Sequence, residues 1–144
     1  MYNFDMQKII QFEPRPAKFW NPTLDFVGMI ECLGEIRHLE KTGNMKSDLD
    51  IVDVRILQGT ETIEETYQEM GWEKSRTCQK DYANEVRTLP LTKSVLHTAI
   101  PNLAPLTGKK IFIAGKGKKS GKNFKYDDYI VLEETDARKV GLIR

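Results

Sequence analysis

With 144 residues, 40% hydrophobic and 30% charged, the chain has room for one domain around one core, and its formal net charge of +1 excludes a uniformly basic binder. No apolar run approaches the length of a bilayer span, and the opening MYNFDMQKIIQF lacks the basic-then-apolar order of a signal peptide, so a cytoplasmic protein without membrane contact is expected. Cys32 and Cys78 have no metal-ligand spacing and read as reduced thiols, a disulfide between them being the other option.

Residues 1–23 hold Pro14, Pro16 and Pro22 beside Phe19 and Trp20. Prolines at that density break regular structure, which predicts an N-terminal arm pinned to the domain by its two rings. Residues 24–39 alternate, with Phe26, Ile30, Cys32 and Ile36 on one face and Glu31, Glu35 and Arg37 on the other. Gly28 and Gly34 interrupt that pattern and predict a sharply bent strand. A polar turn over 40–48 leads to a second strand over 49–57, with Val52, Val54 and Ile56 inward and Asp53 and Arg55 outward.

In the next segment, Ile63, Tyr67 and Met70 fall at i, i+4 and i+7, and Thr62 with Glu65 fits a capping box. This predicts a short acidic helix over 60–76, within an insert of about 58–84. A third strand over 85–91 ends at Pro90, followed by a short helix over 92–100, capped by Thr92 and stopped by Pro101 and Pro105. Strands four and five are expected at about 109–116 and 124–133, and the tail 135–144 as frayed or as an interaction segment. A bent first strand, five strands in all and a helix between the third and fourth describe a mainly β chain folded as an OB-fold barrel spanning 24–134.

Charge is uneven along this frame. Residues 109–125 hold seven lysines and no acid, which leaves a net −6 on the rest of the chain. Lys116, Lys118, Lys119, Lys122 and Lys125 lie in or next to a glycine-rich tip, and Phe124 and Tyr126 follow closely. Cations for phosphates and flat rings for bases are what a single strand requires. A hairpin tip solubilised by lysines is the plain alternative. Arg37, Arg55 and Arg87, one on each of three successive strands, are read as outward and could line a groove, with Lys41 and Lys46 at its far end. Each arginine could equally pair with an acid such as Glu35, Asp53 or Glu85. Phe112 is expected outside the barrel, covered by the N-terminal arm or free to stack a base.

The run TLPLTKSVLHTAI, then PNLAPLTGKK, then IFIAGKGKKSGKNFKYDDYIVLEE, resembles the C-terminal half of phage-type single-stranded DNA-binding proteins of the OB fold over residues 85–134. The resemblance implies a basic loop at Lys116, Lys118, Lys119 and Lys122, and an aromatic contact with a base at Phe124 and Tyr126. The acidic segment 60–73 departs from that pattern, as does the ending VGLIR, which lacks the acidic, phenylalanine-ended tail of cellular bacterial members. The viral type therefore fits better, which would place the protein in a host cytoplasm. The implied function is weakly sequence-dependent binding of single-stranded DNA during replication, recombination or repair, with replication or recombination proteins as partners. A homodimer would double the sites.

Sharper chemistry fails on the residues. In GKGKKSGKN, Lys116 stands where a phosphate loop needs its first glycine, and Asn123 where it needs a hydroxyl. Asp48, Asp50 and Asp53 lack the glycine and closing glutamate of a calcium loop. His38 and His97 have no ligand cluster in sequence, and no nucleophile–base pair stands out. No enzyme, cofactor or metal is expected. A protein–protein adaptor in a viral assembly or replisome and an RNA-binding OB module are the competing functions.

Overall fold

The computed structural model describes residues 18–41, 43, 47–122 and 124–143. Its strands are β1 (Lys18–Phe19), β2 (Val27–Cys32), β3 (Arg37–Leu39), β4 (Leu49–Glu69), β5 (Trp72–Pro90), β6 (Lys110–Ser120) and β7 (Lys125–Glu133). Among the described residues two helices, α1 (Ser94–Asn102) and α2 (Glu134–Lys139), follow β5 and β7 respectively. The strands form one open sheet in the order β1-β5-β4-β2-β6-β7, with β3 also paired to β4. All pairings are antiparallel except β1 with β5.

The chain is therefore mainly β, but the closed five-stranded barrel expected from the sequence is not formed. Among the described residues no strand pairing joins β7 to β5, which would have closed the sheet. The core is built as the alternation predicts. Phe26, Ile30, Cys32, Val52, Val54, Ile56, Leu89, Ile111 and Ile113 are all fully buried, each large side chain contributing about 1.5–3 kcal/mol of transfer free energy. Trp20 joins them, packed edge-on against Phe26 (4.9 Å between ring centres) and Tyr82 (6.0 Å). Phe19, the other expected anchor, is 61% exposed. The rest of the expected arm, residues 1–17, lies outside the described residues.

The expected long first strand is two, β2 and β3, separated by a bend. At that bend Glu35 accepts hydrogen bonds from the backbone N–H groups of Leu106 and Thr107 (2.8 and 2.6 Å) and from the Thr107 hydroxyl (2.5 Å). These bonds, the Thr107 hydroxyl first, hold the Glu35 carboxyl below its usual range. They also tie the α1–β6 connection to the sheet. The cap of α1 is Lys93 rather than Thr92, and the helix carries Pro101 inside its last turn instead of stopping before it.

The largest correction concerns residues 60–76. They are not a helix but the outer part of β4, paired through to Glu69↔Trp72 with β5. Pairing of β2 with β4 ends at Val27↔Thr60, so beyond it β4 and β5 continue as a two-stranded ribbon. Its turn is Met70-Gly71, with φ of 53° and 81°. Two consecutive positive values are those of the two-residue hairpin turn whose twist matches the strands, and glycine takes the second at no steric cost. Glu65, expected to close a capping box, instead pairs across the ribbon with Arg76 (3.1 Å), as Glu69 does with Lys74 (3.3 Å).

Candidate nucleic-acid interface

The lysine-rich segment is the distal half of the β6–β7 hairpin. β6 passes close to residues 24–26, where the Gly115 N–H donates to the Phe26 carbonyl at 2.7 Å. A Cβ at Gly115 would stand 2.1 Å from the Leu24 carbonyl oxygen, so glycine is required for this approach. The register then shifts between Gly115 and Gly117, and the strands continue as Lys118↔Asp127, Lys119↔Tyr126 and Ser120↔Lys125. A turn closed by Gly121 N–H to Phe124 O (2.7 Å) ends the hairpin.

This turn leaves Phe124 63% exposed. Its ring meets Tyr126 edge-on, with centres 6.4 Å apart. The two rings form one wall of an open cleft of about 500 Å³, and Val95, Thr98, Ala99 and Asn102 of α1 form the other. An apolar slot with aromatic rings on one side and hydroxyl and amide groups on the other can hold a flat heterocycle.

The lysines of this hairpin are not equivalent. Asp127 takes Lys118 at 3.0 Å and Lys93 at 2.5 Å. Asp128 takes Lys119 at 3.0 Å and Lys116 at 3.9 Å. The hydrogen bonds from Lys93 and then Lys118 hold the Asp127 carboxyl below its usual range, and the Lys119 hydrogen bond does the same for Asp128. Among the described residues Lys122 and Lys125 have no carboxylate within ion-pair distance. The acid-free window of the sequence stops two residues short of the carboxylates that neutralise much of it. Those acids are the feature that sequence reasoning missed, and the Asp-Asp pair after Tyr126 was the available signal.

No family model matches this chain, and none of the curated proteins or solved structures compared with it matches either.

The expected arginine groove is not assembled. Arg37 and Arg55 do share the outward face of the sheet: Arg37 pairs with Asp53 at 2.8 Å, and Arg55 lies opposite Glu31 and Val86. Arg87 lies opposite the buried Val54 and therefore on the other face. There it donates to Val86 O (2.8 Å) and Glu85 (3.4 Å) and lies over the Tyr82 ring at 5.9 Å. Strict alternation from Leu89 and Leu91 would have placed it on that side.

Position along the strands separates the two groups further. Arg55, Glu31 and Lys110 lie level across β4, β2 and β6. Lys118 is eight residues farther along β6, about 26 Å of strand at ~3.3 Å per residue. The arginines thus lie toward one end of the sheet and the lysine tip at the other. Lys41, expected to close the groove, is exposed and gives its backbone N–H to Asp48 (2.7 Å); Lys46 lies outside the described residues. Phe112 is outward but only 6% exposed. The C-terminal Leu142 and Ile143 line a small cleft together with it and Met29; most of the N-terminal arm expected to cover it lies outside the described residues.

The aspartates weighed for calcium are engaged elsewhere. His38 lies between Asp50 (2.7 Å) and Asp48 (3.3 Å), whose hydrogen bonds, Asp50 first, raise its pKa. No cluster of three or more metal-ligating side chains occurs among the described residues. Both cysteines are free, and burial pushes the Cys32 thiol up to about 11.

Proposed function

We propose that this chain is a non-enzymatic, OB-like protein that binds single-stranded nucleic acid, DNA in preference to RNA, at the distal β6–β7 hairpin and its cleft with α1. The observation that carries the reading is the exposed Phe124 ring beside Tyr126, flanked by Lys122 and Lys125, whose charges meet no carboxylate among the described residues. Lys116, Lys118 and Lys119 form a second rank, held back from phosphates by Asp127 and Asp128. The strand order, with β2 and β3 standing for one bent strand and α1 between β5 and β6, suits an OB-type sheet left open at one seam. A role in viral replication, recombination or repair follows from the sequence resemblance alone.

The test is an anisotropy titration of a labelled single-stranded oligonucleotide with the wild type, Phe124→Ala and Lys122→Glu/Lys125→Glu. Loss of one stacked base costs about 1–3 kcal/mol, roughly five- to hundredfold in Kd. The charge reversal should abolish binding at moderate salt. Unchanged affinity in both variants would remove this surface from the account.

A protein–protein adaptor is the second reading. It is favoured by the tip of the acidic ribbon, where Met70 is 94% and Trp72 74% exposed.

A further inference from the structure

The β4–β5 ribbon is poorly explained as a nucleic-acid element. Its shaft is acidic, its cross-strand ion pairs neutralise Glu65 and Glu69, and Glu64 and Glu73 remain without a basic partner among the described residues. Its end carries two of the most exposed large apolar side chains described, Met70 and Trp72. Burying both would remove a substantial apolar area from water, and tryptophan is the side chain most often decisive when a protein surface is covered. The anchoring of the ribbon is firm. At its base Glu61, 3% exposed, accepts hydrogen bonds from the Trp20 indole (3.0 Å), the Thr23 N–H (2.9 Å) and the Tyr82 hydroxyl. A ribbon so fixed presents its tip outward rather than folding back.

The complementary surface is on the same chain. The cleft between α1 and the β6–β7 hairpin is apolar and of about 500 Å³, and the lysines on either side of its Phe124 in the chain, Lys122 and Lys125, are exposed. An indole with the unpaired Glu73 beside it matches an aromatic-walled slot whose Phe124 is flanked by Lys122 and Lys125. We infer that the ribbon tip of one copy docks, Trp72 first, into the α1–hairpin cleft of a second copy. The surfaces joined are different ones, and the ribbon and the hairpin leave the sheet at the same end, beyond the level of Thr60, Val27 and Ala114. The contact therefore either closes reciprocally between two copies or repeats head-to-tail into short chains. The inference uses the same cleft as the proposed function but does not depend on its binding nucleic acid.

Sedimentation velocity of the full chain at low and moderate salt, without nucleic acid, tests it. The wild type should show concentration-dependent association that weakens as salt rises. Trp72→Ala should weaken association roughly thirtyfold or more, and Lys122→Glu/Lys125→Glu should weaken it comparably. Mixed in equal amounts, the two variants should form a dimer that grows no further, since the mixture offers one intact ribbon and one intact cleft per pair. Association should also move the emission of Trp72 to shorter wavelength, Trp20 being buried already. A wild type that stays monomeric, a Trp72→Ala protein that associates normally, or a mixture that stays monomeric would each overturn the inference. None of these outcomes bears on oligonucleotide binding, so the two readings fail separately.

Discussion

Replacing Asp128 by asparagine should strengthen nucleic-acid binding. Asp128 neutralises two lysines of the hairpin, Lys119 at 3.0 Å and Lys116 at 3.9 Å. Asparagine keeps an oxygen able to accept the Tyr129 N–H bond that Asp128 accepts at 3.0 Å, so the backbone of β7 need not move. What is lost is one negative charge beside two positive ones. Each lysine released to a single-stranded phosphate steepens the slope of log K against log salt by about 0.7, so two steepen it by about 1.4. Over a fourfold change in salt that difference amounts to roughly sevenfold, the variant gaining most at the low end. Anisotropy titrations of one labelled oligonucleotide across a salt series, for wild type and Asp128→Asn, give both slopes directly. Equal slopes and equal affinities would refute the idea that these aspartates restrain the lysines. A weaker variant would mean that the ion pairs position the hairpin rather than mask it.

Two further outcomes concern the scaffold. Glu61→Ala leaves the Trp20 indole and the Tyr82 hydroxyl buried without their acceptor, at about 1–3 kcal/mol each. Urea denaturation should therefore show a loss of about 2–6 kcal/mol, and a loss under about 1 kcal/mol would show that residues 20–23 hold without this carboxylate. Asp25 accepts from the Thr23 hydroxyl (2.5 Å) and the Thr62 N–H (3.1 Å), which lower its pKa from 3.8 to about 2. Its folded value lies below its unfolded one, so its stabilisation is present above 3.8 and is lost as pH falls toward about 2. Denaturation across that interval should be less pH-dependent for Asp25→Asn than for the wild type; identical pH profiles would contradict the assignment.

The parts legible in the sequence were those with a strict period of two. Phe26 just before β2, Ile30 and Cys32 on β2, and Val52, Val54 and Ile56 on β4 were each read onto the core face, where they are fully buried. The ribbon was missed because three apolar residues, Ile63, Tyr67 and Met70, happened to fall at helical spacing. The competing signals were Thr60, Thr62 and Thr66, β-branched residues suited to strands, and a Met-Gly turn midway between segments of similar length. Open rather than closed architecture was beyond reach, since closure depends on whether β7 and β5 meet, and no local pattern encodes a pairing between segments so far apart. At the site, Phe124, Tyr126, Lys122 and Lys125 were named from sequence and stand together. Arg37, Arg55 and Arg87 were grouped by counting strands. The register puts Arg87 on the opposite face from Arg37 and Arg55 and sets all three well along the sheet from the lysine tip.

The central claim is one of place: an unpaired strand lies on the distal β6–β7 hairpin against α1. Ultraviolet crosslinking of a halogenated single-stranded oligonucleotide, followed by mapping of the modified peptides by mass spectrometry, locates that contact. Crosslinks at Phe124 or Tyr126 are the expected result. Crosslinks confined to the Trp72 ribbon, or to the face of β4 that carries Arg55, would contradict it.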